Sequence, residues 1–332
     1  MLGMALFGAG RIGQMHADNI GRHPGARLLQ VYDVHRPAAE AAAARHGAEV
    51  AGSVEAALAD ADVAAVLIAS ATNTHVDLIT ASVKAGKAVL CEKPIDLDIK
   101  RVDACWQEIR SLEPKVMLGF NRRFDPSFRA VHDALRAGEI GELRQVLITS
   151  RDPDIPSVDY MKVAGGLLRD MTIHDFDLAR FMLGEEPVEV AALADALIDP
   201  VVRELGEHDT AMVIMRTATG KQACITNYRR AVYGYDQRVE LVGEKGMLKA
   251  ENRRATTIER WTQAHTAAQE PLLHFFMERY QEAYAAQLDD FVAAVSDGRA
   301  LPVGFEDGRR ALLLADAAYT SLREKRVVSL AS

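Results

Sequence analysis

At 332 residues the chain is about twice the size of a typical domain of roughly 150 residues, which predicts two domains. Hydrophobic residues make up 49% and charged residues 26%, a balance that excludes wholesale disorder. The net charge of −8 argues against a nucleic-acid binder, which needs a basic stripe, and against attraction to an anionic membrane surface.

No apolar run approaches the roughly 18 residues needed to span a bilayer, so no membrane partner is expected. The start of the chain, from Met1 to Phe7, lacks the basic segment of a secretory signal and runs directly into glycines. Cys91, Cys105 and Cys224 form no CxxC pair, which predicts neither a disulfide framework nor a zinc ribbon and points to a reducing cytoplasm.

In chain order, the first 119 residues alternate short apolar runs with amphipathic stretches, the pattern of βα units on a parallel sheet. Strands are predicted over 4–7, 28–33, 63–69, 88–91 and 116–119, with helices over 12–22, 37–46, 54–59, 74–85 and 99–111. The run 63–69 is apolar without alternation, as expected of a central strand covered on both faces. This half reads as a doubly wound α/β Rossmann domain, assigned to 1–120.

Beyond it the rhythm changes. A helix is predicted over 126–137, a strand over 143–149 and one helix over 167–183. Strand-like runs follow at 188–194, 210–215, 222–228, 237–242, 247–250 and 256–261, then long helices at 275–295 and 306–324. Strands in series with short turns predict a mainly antiparallel open sheet, and the whole reads as a C-terminal α+β domain over 121–332 for substrate binding and oligomerisation.

Gly8-Ala9-Gly10-Arg11-Ile12-Gly13 fits GxGxxG directly after an apolar strand and at the start of a helix. Gly8 permits the tight turn, Gly10 lets the backbone approach a pyrophosphate, and Gly13 lets the helix pack on the sheet. The first helical turn supplies N–H groups and positive dipole character for phosphates. Asp33 closes the next strand twenty residues after Gly13, placed to accept hydrogen bonds from ribose hydroxyls and to repel a 2′-phosphate. The alternative is a glycine turn that binds nothing, but strand, turn, helix and terminal acid together favour a dinucleotide. Arg36, just past the acid, suits a 2′-phosphate; on the strength of Asp33, NAD is expected rather than NADP. Candidate cofactor contacts here are Gly8, Gly10, Arg11, Ile12, Gly13, Asp33 and Val34.

Two further segments fall where strand carboxyl ends are predicted: Ser70-Ala71-Thr72-Asn73-Thr74-His75 and Cys91-Glu92-Lys93-Pro94. Ligands bind at this end of open α/β sheets. GxGxxG at the start, the Thr72-Asn73-Thr74-His75 loop, Glu92-Lys93-Pro94 and a following α+β domain resemble the Gfo/Idh/MocA family of NAD(P)-dependent oxidoreductases, and the resemblance covers essentially the whole chain. It implies that Ser70, Thr72, Asn73, His75, Glu92 and Lys93 border the cofactor, His75 by shaping the loop beneath the nicotinamide.

Within the family, Gly165-Gly166-Leu167-Leu168-Arg169-Asp170 and Met171-Thr172-Ile173-His174-Asp175 look like the corresponding segment of inositol 2-dehydrogenases. That similarity implies Lys93, Asp170 and His174 as the catalytic set, and Asn121, Arg123, Asp152 and Asp154 at the substrate. A tyrosine near Tyr233 and Tyr235 is implied to reach the polyol, with the choice between the two open.

The chemistry suits these residues. Oxidising a secondary alcohol needs a base for the hydroxyl proton, and an imidazole is in large part neutral near pH 7. Asp170, four residues before His174 on the predicted helix, shares its face and can orient the ring. Lys93 would stabilise the developing alkoxide. HExxH, CxxC, DxDxDG, GxxxxGK[ST] and GxSxG are all absent, so no metal, P-loop or serine-hydrolase elbow is expected.

The expected function is NAD-dependent oxidation of myo-inositol to 2-keto-myo-inositol (scyllo-inosose) with His174 as base. The alternatives are an aldose or other polyol dehydrogenase, and a dinucleotide-sensing protein without turnover. Family similarity also implies a homotetramer.

Overall fold

The computed structural model describes residues 1–330. The chain divides into two units, one made of Met1–Asn121 with Ala283–Leu312, the other of Arg122–Glu282 with the chain from Leu313 onward. The first therefore includes a returning segment that falls within 121–332, the span expected for the C-terminal domain.

The first unit holds a six-stranded sheet of β1 (Leu2–Phe7), β2 (Ala26–Tyr32), β3 (Glu49–Val50), β4 (Ala65–Ile68), β5 (Ala88–Cys91) and β6 (Val116–Leu118). Their order is β3-β2-β1-β4-β5-β6, and every pairing is parallel. β4 and β5 are buried at every position, as their unbroken apolar runs predict for central strands. The strand order reverses between β1 and β4, which pair through Phe7 and Ile68, and β5 follows with Cys91 opposite Ile68. Three loops consequently leave neighbouring strands at the same end of the sheet, at the switch point where this topology binds ligands.

The second unit carries β7 (Leu143–Arg151), β8 (Pro187–Asp195), β9 (Thr210–Thr217), β10 (Gln222–Tyr228), β11 (Asp236–Gly243) and β12 (Gly246–Ala250). A small hairpin of β13 (Glu259–Arg260) and β14 (Ala268–Gln269) stands apart from them, so the strand expected over 256–261 does not join the main sheet. β15 (Val328–Ser329) adds an edge beside β8. The seven-stranded order is β12-β11-β7-β10-β9-β8-β15, antiparallel except for β7 with β10.

The helix Thr172–Leu183 packs on β7 and β10 and is buried along nearly its whole length. Its interior acids are neutralised by arginines: the Arg122 guanidinium donates to Asp175, and that of Arg123 donates twice to Asp177 at 2.5 and 2.8 Å. The single helix expected over 167–183 is two, Gly166–Asp170 and Thr172–Leu183, divided at Met171. Thr172 Oγ1 lies 2.8 Å from Asn227 Oδ1 on β10 but 3.3 Å from Leu167 O, so its hydroxyl ties the new helix to the sheet rather than to the preceding turn. The helix expected over 275–295 is likewise divided, into Phe276–Arg279 and Gln281–Asp297, at the buried Tyr280.

Candidate active site

In the first unit, β1 ends in a turn whose glycines do separate jobs. Gly8 has φ +95°, and a Cβ there would lie 2.5 Å from Ser70 N. A Cβ on Gly13 would lie 2.0 Å from Gly8 O, so only glycine lets the helix Arg11–Arg22 sit this close to the turn. Gly10 has open space around its Cβ position and caps that helix without any side-chain hydrogen bond. Open space beside uncapped N–H groups suits a pyrophosphate, so the residues present fit a dinucleotide.

Asp33 stands at the end of β2 and holds the turn: Ala9 N donates to its Oδ2 at 2.6 Å and His35 N to its Oδ1 at 2.7 Å. Each carboxylate oxygen retains capacity for a ribose hydroxyl. Arg36 donates to Glu40 at 2.9 Å along its own helix, an exposed pair that directs the guanidinium toward an acid of this chain. Val34 is 92% exposed, and Arg11 is also on the surface.

After β4, Ser70 Oγ and Thr74 Oγ1 are 2.6 Å apart, and Thr72, Asn73 and Thr74 form one helical turn leading into the helix His75–Lys84. His75 is buried, with Nδ1 2.8 Å from Pro94 O and Nε2 3.1 Å from Ser70 O. Burial pushes its pKa down, so the ring is neutral near pH 7. Glu92 and Lys93 follow β5; Glu92 Oε1 meets His16 Nε2 at 2.7 Å. Asn121, at the end of this unit, is 2% exposed with no hydrogen-bond partner for its side-chain oxygen.

In the second unit, Asp170 is the meeting point of a polar cluster built around the buried Arg229. The Tyr160 hydroxyl donates to Asp170 Oδ1 at 2.8 Å and the Arg229 guanidinium to Oδ2 at 2.5 Å. Arg229 is 3% exposed, and its Nε lies 3.8 Å from Asp152 Oδ2. Burial pushes the Asp152 carboxyl up to about 6, against the pull of Arg229 and with a further push from Asp170. His174 is half-buried in the first turn of the helix Thr172–Leu183, and its backbone N–H donates to Met171 O at 3.3 Å. The break at Met171 replaces the expected shared helix face of Asp170 and His174 with two helices meeting at the Asp170 cluster.

The remaining candidates separate. Tyr233 is half-exposed, accepting from Arg151 at 2.8 Å and donating to Asp236 at 2.9 Å. Tyr235 is buried, edge-on to Tyr280 at 5.9 Å. Arg123 is buried against Asp177 and lies over the Phe181 ring at 5.0 Å. Asp154 is exposed, 3.8 Å from His274. Among the described residues, no group of three or more His, Cys, Asp or Glu side chains is arranged to hold a metal ion, and no helix is long and apolar enough to cross a membrane.

His16, Tyr160 and Arg229 are not among the residues expected from the sequence. Two of them left a signal: His16 shares the buried spacing of Gly13, Ala17 and Ile20, and Arg229 continues the inward parity of Ala223, Ile225 and Asn227 along β10. A charged or titratable residue at a core position needs a partner.

Residues 2–120 match the family described as the oxidoreductase family, NAD-binding Rossmann fold, and residues 128–249 match the GFO/IDH/MocA C-terminal domain. The chain is 52% identical over 326 residues to the inositol 2-dehydrogenase of Rhizobium meliloti (strain 1021), covering 98% of both chains. It is similar, with a TM-score of 0.97 and 44% identity, to a myo-inositol dehydrogenase from Corynebacterium glutamicum ATCC 13032, covering 100% of this chain and 99% of that one. A scyllo-inositol dehydrogenase from Lactobacillus casei, solved with NAD(H) and scyllo-inositol bound, matches with a TM-score of 0.92 and 30% identity over 100% of each chain. Fold, glycine turn and both halves of the chain agree: this protein belongs to the Gfo/Idh/MocA oxidoreductases.

Proposed function

We propose that this chain is an NAD-dependent inositol 2-dehydrogenase that oxidises a ring hydroxyl of myo-inositol to scyllo-inosose. The observation that carries the reading is the match, along 98% of both chains, to an inositol 2-dehydrogenase. The intact glycine turn with Asp33, and the held carboxylate of Asp170, support it from the geometry.

The glycine turn and Asp33 would hold NAD, which when bound would supply the hydride acceptor for the carbon that bears the reacting hydroxyl. His174 takes the hydroxyl proton as general base. Asp170, which accepts from the Arg229 guanidinium, stabilises the imidazolium as it forms. Lys93 stabilises the oxygen as it gains negative charge. Asn121, Asp152, Asp154 and Tyr233 are proposed to read the polyol hydroxyls, where a wrong isomer leaves some of these polar groups unpaired. Arg123 and Tyr235, both buried among their own unit's side chains, support that surface from within.

The outward face of the second sheet supports a homotetramer. Leu147, Leu193, Met212 and Ile214 are 40%, 77%, 59% and 57% exposed, and they lie on one face of β7, β8 and β9, with β10 between β7 and β9, where polar residues are the rule for a solvated face. A second copy of the chain is the proposed cover, and light scattering of Ile214→Glu should report smaller particles than the parent. The acidic balance and three unpaired cysteines suit a cytoplasmic enzyme acting on a small molecule.

The function is tested by NADH appearance with a panel of inositol isomers and pyranoses, with NAD and NADP in parallel. Turnover of myo-inositol with NAD is expected. Turnover of glucose without any inositol, or dinucleotide binding without turnover of any polyol, overturns the assignment.

A further inference from the structure

The two chain neighbours of Lys93 are each fastened by a buried histidine. Before it, Glu92 Oε1 meets His16 Nε2 at 2.7 Å. After it, Pro94 O meets His75 Nδ1 at 2.8 Å. Both rings are 1% exposed. His16 rides on the helix that begins at the glycine turn, with its ring edge-on to Tyr284 at 5.5 Å. Gly119 closes the far side of the Glu92 carboxylate, since a Cβ there would lie 2.7 Å from Oε2 and 2.9 Å from Glu92 Cα. The backbone adds Glu92 N donating to Ile68 O at 2.9 Å. His75 in turn reaches back to Ser70 O at 3.1 Å; a neutral ring carries one N–H, and the shorter contact to Pro94 O takes it.

We propose that His16 and His75 are positioning residues that clamp the segment Glu92-Lys93-Pro94 from both sides and so fix where the Lys93 ammonium is presented. His16 thereby ties the placement of Lys93 to the helix that receives the dinucleotide phosphates. The proposal rests on the role given to Lys93 above. A lysine has four rotatable side-chain bonds, so its charge is only as well placed as the backbone that carries it. Displacing a group that stabilises charge in the transition state by about 1 Å costs on the order of 100-fold in rate. The rings themselves hold one hydrogen bond each in place and need no proton transfer.

The two clamps use different ring nitrogens, which gives the test its direction. A glutamine amide nitrogen reaches the position of imidazole Nε2, and an asparagine amide nitrogen that of Nδ1. His16→Gln should therefore keep the bond to Glu92 and His16→Asn lose it, whereas His75→Asn should keep the bond to Pro94 O and His75→Gln lose it. We expect His16→Asn and His75→Gln to lower kcat by about 30-fold or more, with the NADH dissociation constant, read by fluorescence, within about three-fold of the parent. His16→Gln and His75→Asn should recover at least about ten-fold of that loss. Gly119→Ala, which pushes on Glu92 while leaving both histidines in place, gives an independent lowering of kcat if a histidine variant does not fold. Parent-like kcat in His16→Asn and His75→Gln overturns the clamp, as does a loss that ignores which isostere is present or follows NADH affinity. Lys93→Met separates the two levels: parent-like turnover there removes the role of Lys93 itself, whereas an inactive Lys93→Met beside a fully active His16→Asn removes the clamp alone.

Discussion

Arg229 Nη2 donates to Asp170 Oδ2 at 2.5 Å from a position that is 3% exposed, while the Tyr160 hydroxyl holds the other carboxylate oxygen at 2.8 Å. A buried guanidinium of this kind fixes both the charge and the direction of the acid it binds. In the proposed mechanism Asp170 supports an imidazolium on His174 only while it is ionised, so Arg229 acts through it. Arg229→Met removes the buried cation from between two half-buried acids and should cost about 2–3 kcal/mol of transition-state stabilisation, or about 30- to 150-fold in kcat/KM. Arg229→Lys, which keeps the charge but not the planar fork, should fall between the two. Tyr160→Phe deletes one hydrogen bond and should cost less, about 3- to 10-fold. Steady-state kinetics with myo-inositol, beside NADH binding to show an intact dinucleotide site, decides this; an Arg229→Met variant as active as the parent removes Arg229 from the mechanism.

The same arginine has a second acid beside it. With Asp152 raised from 3.8 to about 6, its ionised form is disfavoured in the folded state, so its contribution to stability is complete below pH 3.8 and is lost as pH rises through about 6. The ceiling on that loss is on the order of 3 kcal/mol, because one pKa unit corresponds to about 1.4 kcal/mol. Asp152→Asn cannot ionise and escapes it. The Tm of Asp152→Asn minus that of the parent should therefore grow more positive between about pH 4.5 and pH 7.5, by a few degrees. A difference that is flat or falls over that range would show that Asp152 titrates normally.

How much of this was legible in the sequence follows from the range of the interactions. The glycine turn was readable because its requirements are local: a positive φ at Gly8, contact distance at Gly13 and an acid at the end of the next strand. β4 and β5 were readable because full burial leaves an unbroken apolar run. The break at Met171 was not, since it depends on Thr172 meeting Asn227, 55 residues away, and helical periodicity carries no trace of that contact. The edge strand Val328–Ser329 is too short to show a period of two. At the candidate site the motif residues were named, whereas their partners were not. His16 lies 76 residues from Glu92 and Arg229 lies 59 from Asp170, so only the oddity of a titratable or charged residue at a core position could have pointed to them.

Cofactor choice turns on the end of β2. Asp33 disfavours a 2′-phosphate, and Arg36, the nearest cation in sequence, is engaged by Glu40 at 2.9 Å. Asp33→Ser should raise kcat/KM for NADP relative to NAD by about ten-fold or more, because it removes the repelling charge. Adding Glu40→Gln should raise it by a further two- to three-fold or so, an increment held small because exposed ion pairs are weak. Parallel saturation curves with the two cofactors read both steps. An unchanged ratio in Asp33→Ser would place the discrimination elsewhere.

Gly10 and Gly13, three residues apart, should answer the same substitution in opposite ways. At Gly13 a methyl group would sit 2.0 Å from Gly8 O, a backbone atom that cannot swing aside. Gly13→Ala should therefore destabilise the first unit by about 1–3 kcal/mol and lower Tm by several degrees, whatever ligand is present. At Gly10 nothing lies within 4 Å of the Cβ position, so Gly10→Ala should leave Tm within about 1 °C of the parent. Its methyl group would instead fill the space beside the uncapped helix start, where a pyrophosphate needs close backbone approach, and the NADH dissociation constant should rise by about ten-fold or more. Thermal melts paired with fluorescence titrations separate the two effects. If Gly10→Ala binds NADH as the parent does, the open space at Gly10 is not where the phosphates lie, and the dinucleotide must enter this unit by a different surface.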